Sequence, residues 1–432
     1  MNMSDKTEYK DQTTVEIGYV EGDLELRNCR SIIPQQGEAI TVTGTIRVWG
    51  ETTFEGSVKA QNLEGHSRDD VIILGDLTVE GDATVKKGSL RIEKDATGRV
   101  FEAGGTVVVG GNLQCTAAKG GGSVKVRGKA TGQRISAGGA VRIVGDAEVE
   151  RLDAGGSVEV EGTINTERLS AGGSGKCNTG KIERVDVGGS FKATGAIEIE
   201  EIDVGGSVKV GPGSKVTSLD VGGSATAGEG SRIEKIDIGG SFKSEGSVEF
   251  EDIDVGGAVK LGGSSKGGTI DVGGSVLASG DLELEDIDVG GKVTVEGNLT
   301  CKNKIKVGGT VTVEGEINTY RIIVGGRIEC DYIRATDGFR LGGKGEVTGF
   351  VNSDNIIIRE RARTRTLYGD DIRVEERARV QNIYGRTIYL ERKVIVEGEI
   401  QYTESFEAEE GVELRNEPKK VEQLPSPETL RK

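Results

Sequence analysis

Short runs in which apolar and polar residues alternate make up most of the chain. In residues 186–202 the apolar positions are Val187, Phe191, Ile197, Ile199 and Ile202. An alternation with a period of two places every second side chain on the same face, which predicts β-strands rather than helices. The runs are rich in Val and Ile, which pack well on a half-buried pleated surface.

A Gly–Gly pair recurs through the middle of the chain at a nearly fixed distance. From Gly104 to Gly342 the first glycines of successive pairs are 17 residues apart in twelve of fourteen steps, with one step of 16 and one of 18. Most repeats have a second corner with Gly and a third corner with charged residues. Each repeat therefore contains three short strands, and a fixed short period indicates a repeat architecture.

One coil cannot bury its inner face alone, so equivalent strands of successive repeats should stack in parallel. We predict an all-β fold, a right-handed parallel β-helix (a solenoid) of triangular cross-section. It would have about 22 coils of ~17 residues and a length of about 105 Å. The right hand is the preference of parallel crossovers, and left-handed β-helices use hexapeptide repeats, hence ~18 residues per coil. The expected inward row is Val187, Val204, Val221, Ile238, Val255, Val272 and Val289.

The regularity and composition of the repeats divide the chain into five segments. Residues 1–13 read as a polar N-terminal tail and residues 14–100 as irregular N-terminal coils. The regular Gly–Gly array occupies residues 101–350, and Arg-rich coils follow over 351–415. Residues 416–432 hold three of the five prolines and no pattern, which predicts a disordered tail.

The overall charge and the cysteines exclude several classes of protein. The formal net charge of −16 disfavours nucleic acid as a partner, because such binding depends on neutralising phosphates. The five cysteines are scattered and form no C-x-x-C pair, which argues against a disulfide framework or a zinc site and favours a reducing compartment. The N-terminus has no apolar leader, and no apolar run is long enough to span a membrane. We therefore expect a cytoplasmic protein.

Phrases such as "VEGDLEL", "VTGTIRV" and "VEGEIQY" resemble those of the bactofilins, the polymer-forming cytoskeletal proteins. The resemblance extends in style over roughly residues 14–410, with several times as many coils as a typical member. It implies a compact right-handed β-helix between flexible tails, and polymerisation end to end without a nucleotide.

An Asp ladder is the sharpest chemical feature of the repeats, with its members 17 residues apart and expected to stack on one face. We interpret it as a solvated outer face, with binding of a divalent cation as a weak alternative. Catalysis by paired carboxylates needs unlike environments, which a uniform ladder does not offer. No catalytic or cofactor-binding residue, no cofactor and no enzyme activity are predicted. The ladder consists of Asp186, Asp203, Asp220, Asp237, Asp254, Asp271 and Asp288.

Two functions fit these patterns. The first is a structural, cytoskeletal β-helix rod that self-assembles end to end into filaments or a scaffold without nucleotide. The last coil shows no covering helix, so Phe406, Val412 and Leu414 are the predicted polymer interface. The alternative is a non-polymerising rigid spacer or a platform for protein partners.

An Arg-rich patch offers a second candidate surface. It is either salt-bridged or a docking site for an acidic partner, such as another protein or an anionic membrane surface, which would place the protein at the membrane periphery. The patch consists of Arg359, Arg361, Arg363 and Arg365.

Overall fold

The computed structural model describes residues 6–35 and 39–431. The chain is an all-β parallel β-solenoid of about 24 turns of ~17 residues, compared with the 22 expected. It divides into two compact units, residues 1–211 and residues 212–432. No helix in the described ranges is long and apolar enough to cross a membrane.

The first unit contains thirty strands. They are β1 Lys6–Lys10, β2 Thr14–Ile17, β3 Tyr19–Val20, β4 Asp23–Arg27, β5 Ser31–Pro34, β6 Ile40–Val42, β7 Thr45–Trp49, β8 Thr52–Phe54, β9 Val58–Ala60, β10 Asn62–Gly65, β11 Val71–Ile73, β12 Leu77–Val79, β13 Asp82–Val85, β14 Leu90–Ile92, β15 Ala96–Thr97, β16 Val100–Ala103, β17 Thr106–Val109, β18 Leu113–Gln114, β19 Ala117–Gly120, β20 Ser123–Val126, β21 Ala130–Ala137, β22 Ala140–Ile143, β23 Ala147–Ala154, β24 Ser157–Val160, β25 Thr163–Ala171, β26 Ser174–Cys177, β27 Thr179–Val187, β28 Ser190–Ala193, β29 Ile197–Val204 and β30 Ser207–Val210, as far as residues 6–35 and 39–211 are described.

The second unit continues the same kind of element and ends in one short helix. Its elements are β31 Lys215–Val221, β32 Ser224–Ala227, β33 Ser231–Ile238, β34 Ser241–Ser244, β35 Val248–Val255, β36 Ala258–Leu261, β37 Ser265–Lys266, β38 Thr269–Val272, β39 Ser275–Ala278, β40 Leu282–Val289, β41 Lys292–Val295, β42 Leu299–Val307, β43 Thr310–Val313, β44 Glu316–Val324, β45 Arg327–Glu329, β46 Tyr332–Leu341, β47 Glu346–Val347, β48 Phe350–Ile358, β49 Arg363–Val374, β50 Arg379–Leu390, β51 Ile395–Val396, β52 Ile400–Ala408, β53 Glu413–Leu414, β54 Lys419–Lys420 and α1 Pro427–Leu430.

Strand pairing defines three faces per turn. In the first unit β10, β11 and β12 pair in parallel with β13, β14 and β15, so each strand contacts the third one along the chain. At β21 two faces join into one long strand, which pairs with both β18 and β19. In the second unit the same merged pattern makes β33 pair with β35, and β34 pair with β36.

The core is a set of stacked aliphatic rows inside each unit. In the second unit Val221, Ile238, Val255, Val272 and Val289 occupy one register, and none is more than 1% exposed. The alternation in the sequence thus identifies the inward positions correctly. In this row β-branched aliphatic side chains lie directly over one another, which favours the close packing typical of protein interiors.

The Gly–Gly corners have a different cause from the one that turn chemistry suggests. Among the described residues, no glycine of the 17-residue series has a positive φ. Successive pairs instead lie directly over one another: a Cβ on Gly274 would be 2.2 Å from the Gly257 carbonyl oxygen, and one on Gly273 would be 2.7 Å from the Gly256 oxygen. Any side chain there would overlap the backbone of the preceding turn.

The structure differs from the sequence interpretation at both ends of the chain. Residues 6–10 form β1, which pairs in parallel with β4 along its whole length, while residues 1–5 of the expected tail lie outside the described residues. Thr7 and Tyr9 continue the inward alternation, and Lys6 contacts Glu25 at 3.0 Å. In place of the expected disordered tail, residues 419–420 form β54 on β52, and residues 427–430 form α1. These extra strands help to explain the larger number of turns.

Candidate assembly interface

The last turn of the second unit (the terminal turn, residues 400–414) ends with apolar side chains that are only half covered. Phe406 lies over Ile388 in the pairing of β52 with β50, and Leu414 lies over Val396 in that of β53 with β51. Ile388 and Val396 are buried, whereas Phe406 and Leu414 keep part of their surface exposed. The inward rows of the core therefore emerge at this end.

The outer edge of β52 is only partly paired. Lys419 and Lys420 of β54 pair with Gln401 and Tyr402, and the Val421 N–H donates to the Tyr402 carbonyl at 2.9 Å. No strand in the described part of the chain pairs with the outer side of residues 403–408. Free N–H and C=O groups on a strand edge can template a further strand.

The structure brings together the three residues predicted for the polymer interface. Phe406, Val412 and Leu414 are all half-buried in the terminal turn. Phe406 also contacts Tyr402, with ring centroids 5.8 Å apart. Val412 immediately precedes β53, which stacks on β51, so it lies at the same end as Leu414.

Carboxylates surround this apolar end, and some are held by neighbouring turns. Arg386 donates to Glu404 at 2.8 Å. The Tyr389 hydroxyl donates to Glu409, and this bond is the main cause that lowers the pKa of the Glu409 carboxyl. The rim of the terminal turn is therefore acidic at neutral pH.

The Arg-rich patch is only partly salt-bridged. Arg359 forms an ion pair with Glu375 at 3.0 Å. Arg361, Arg363 and Arg365 are exposed and form no ion pair within the described residues. Three guanidinium groups thus remain available to solvent on the same part of the second unit.

A basic corner shares Arg361 with that patch. In four successive turns a basic residue at this corner has left-handed backbone, with φ between 58° and 62°. In the next turn the left-handed residue is Gly411, with a φ of 81°. Left-handed backbone is unfavourable for residues with a Cβ, so this corner keeps its charges at some cost in stability. The four residues are Lys344, Arg361, Arg377 and Lys393.

The Asp ladder stacks as predicted inside each unit. Asp186 pairs in register with Asp203 in the first unit, and the register of the second unit runs from Asp220 through Asp237, Asp254 and Asp271 to Asp288. Lys306 donates to Asp288 at 2.6 Å, and Arg168 to Asp186 at 2.8 Å. Within residues 6–35 and 39–431, no group of three or more His, Cys, Asp or Glu residues could hold a metal ion.

An aromatic stripe lies on the outside of the second unit, and the repeat pattern did not predict it. It consists of Tyr332, Phe350, Tyr368 and Tyr384, which occupy outward positions beside fully buried inward residues. The rings of Tyr332 and Phe350 are 5.8 Å apart, and those of Phe350 and Tyr368 are 6.3 Å apart. Tyr332 is only 6% exposed and Phe350 only 7%, although outward side chains should be in water. The signal was an aromatic residue next to the inward aliphatic one in four successive turns.

The C-terminal segment (residues 416–431) lies beside this stripe. The Arg431 guanidinium is 3.7 Å from the centroid of the Tyr332 ring, and it forms an ion pair with Glu316. Burial is the main cause that raises the pKa of Tyr368, and the nearby carboxylate of Glu428 adds to it. The segment thus extends from the edge of β52 to the turn that contains Glu316, which lies 115 residues before Arg431 in the sequence.

The terminal turn, the stacked ladders and the strand pairing define a parallel β-solenoid repeat protein. Residues 269–368, all in the second unit, match the family model described as bactofilin, polymer-forming cytoskeletal. The chain therefore carries a bactofilin family domain over that segment, and the resemblance noted in the sequence is confirmed there. Bactofilins are structural rather than catalytic proteins, and they polymerise. No match was found among curated proteins or among solved structures.

Proposed function

We propose that the protein is a structural, cytoskeletal β-helix that self-associates end to end through its terminal turn, without nucleotide. The observation that carries the proposal is the half-exposed apolar group of Phe406, Val412 and Leu414, next to the outer edge of residues 403–408, with which none of the described strands pairs. A partner strand would bury those side chains and satisfy the free backbone groups in one step. The bactofilin match over residues 269–368 supports the same function.

The experiment compares two Arg substitutions by analytical ultracentrifugation. Phe406→Arg puts a charge where the interface would close, and desolvating an unpaired charge is costly. It should shift the protein from polymer to monomer or dimer while the far-ultraviolet circular dichroism spectrum is unchanged. Tyr320→Arg is the matched control, because Tyr320 is 50% exposed in the same unit but lies outside the terminal turn. It should sediment like the unmodified protein.

A strictly monomeric unmodified protein at high concentration and physiological salt would refute the polymer function. The non-polymerising spacer or binding platform would then take its place. For that alternative Arg361, Arg363 and Arg365, which are exposed and form no ion pair within residues 6–35 and 39–431, offer a docking surface for an acidic partner, an anionic membrane surface included. Vesicles containing phosphatidylserine should then bind the protein more strongly than neutral vesicles, and Arg363→Glu should weaken that binding.

The finer architecture is part of the same proposal. The three faces per turn seen in the pairing of β10–β12 with β13–β15 support a triangular cross-section, and the strong preference of parallel crossovers supports a right-handed coil. The five cysteines are buried and free, which fits a reducing compartment and hence the cytoplasm.

A further inference from the structure

We propose that the C-terminal segment docks reversibly on the aromatic stripe, holds β54 over the terminal edge and thereby restrains end-to-end assembly. The inference rests on the proposed function, because it concerns the same edge of β52. The occupant of the stripe is this chain's own residues 416–431, anchored at Arg431.

The anchor is specific. Arg431 combines a cation–π contact with Tyr332 and an ion pair with Glu316, and a planar guanidinium suits both at once. Asn352 donates to the Tyr332 hydroxyl at 2.9 Å, which fixes the ring under the guanidinium. An aromatic ring that the neighbouring turn already holds in place is a prepared site, so docking costs little rearrangement of the solenoid.

The rest of the segment is held weakly. None of its residues is buried: the two lysines of β54 are exposed, and the one-turn helix α1 has no buried residue. At its other end, Asn416 donates to the Gly398 carbonyl at 3.1 Å. A segment with few buried contacts belongs to the low-stability parts of a structure, which open without global unfolding.

The docked position of β54 conflicts with a second copy at the same edge. Lys419 and Lys420 occupy the places opposite Gln401 and Tyr402, where an incoming strand would pair. Short strands with lysines are a common protection of sheet edges. An incoming copy would have to displace β54, and the free energy of docking at Arg431 is then subtracted from that of assembly.

The test measures the critical concentration for assembly by high-speed pelleting. Arg431→Glu removes the cation–π contact and opposes Glu316, so the critical concentration should fall by about three- to thirty-fold, the range expected from losing one exposed cation–π contact and one surface ion pair. Arg340→Glu is the control with the same change of charge, because Arg340 is exposed and has no ion pair among the described residues. It should leave the critical concentration unchanged.

A second variant and a second measurement separate the possible outcomes. Glu316→Arg should act like Arg431→Glu, and the double swap should restore part of the restraint. Hydrogen exchange of the Val421 amide, which bonds to Tyr402, should speed up in both single variants. Equal critical concentrations with polymer present would overturn the restraint but leave the polymer function intact. If all the variants and the unmodified protein stay monomeric, both ideas fail.

Discussion

A charge placed in the core would test the stacked rows most directly. Val255 is 0% exposed and lies in register between Ile238 and Val272. In Val255→Asp the new carboxyl group has aliphatic neighbours in both adjacent turns. Ala258→Asp is the matched control, because Ala258 is exposed three residues further along the same turn.

The expected cost has two parts. Losing the burial of Val255 removes about 1.5–3 kcal/mol. Keeping the new carboxyl group protonated at pH 7, against an ordinary pKa of ~3.9, costs about 4 kcal/mol. The free energy of unfolding of the turns around residue 255 should therefore be lower by about 5–7 kcal/mol in the variant at pH 7. Burial raises the pKa of this group in the folded state, so the loss should shrink by about 1.4 kcal/mol per unit as the pH falls toward 4.

Hydrogen exchange is the appropriate assay, because a repeat array opens turn by turn rather than in one step. Amides of the turns around residues 238, 255 and 272 should lose protection in Val255→Asp at pH 7 and regain part of it at pH 4.5. If protection and melting temperature match those of Ala258→Asp at both values of pH, position 255 is not an interior site and the packing argument is wrong.

Three further outcomes are expected. Calorimetric titration with calcium should show no binding tighter than about millimolar, and stoichiometric micromolar binding would overturn the solvated interpretation of the Asp ladder. Gly274→Val should lower the melting temperature strongly while Ser275→Val does not, because only a Cβ at 274 would overlap the Gly257 oxygen. Burial raises the pKa of the Cys115 thiol to about 12 in the folded protein, whereas the ordinary pKa in the unfolded chain is ~8.5. The stability that the buried neutral thiol contributes is therefore fully present below pH ~8.5 and is lost as the pH rises toward 12. The denaturation midpoint should then fall less between pH 8 and pH 10 in Cys115→Ala than in the unmodified protein, and equal falls would contradict this.

The repeat period was enough to predict the solenoid, because inward residues must recur wherever turns stack. Val255 and its row follow from the spacing alone. The reason for the Gly–Gly pairs does not follow from the spacing. A sequence shows that these positions lack a side chain, but not which backbone atom of another turn lies close to them. The requirement for glycine at position 274 can be explained only once Gly257 is located in the preceding turn.

The assembly interface was predictable in part. Phe406 and Leu414 could be assigned to the last turn because they continue the alternation. The contact of Arg431 with Tyr332 could not, because it joins two positions that no period relates. Low-complexity composition indicated disorder for this segment, whereas an anchor at one end and two paired residues at the other are enough to hold it.

The close stacking of the glycine corners also limits how such a gene can change in length. Gly257 and Gly274 meet backbone to backbone, so a single inserted codon would move every later corner out of line unless a bulge absorbs it. The register shift between Leu284 and Asp286, at the 18-residue step, is one such bulge. Duplication of a whole turn of ~17 codons keeps every contact and adds ~4.8 Å to the stack. Unequal recombination between near-identical repeats would therefore give related chains whose sizes differ in whole turns.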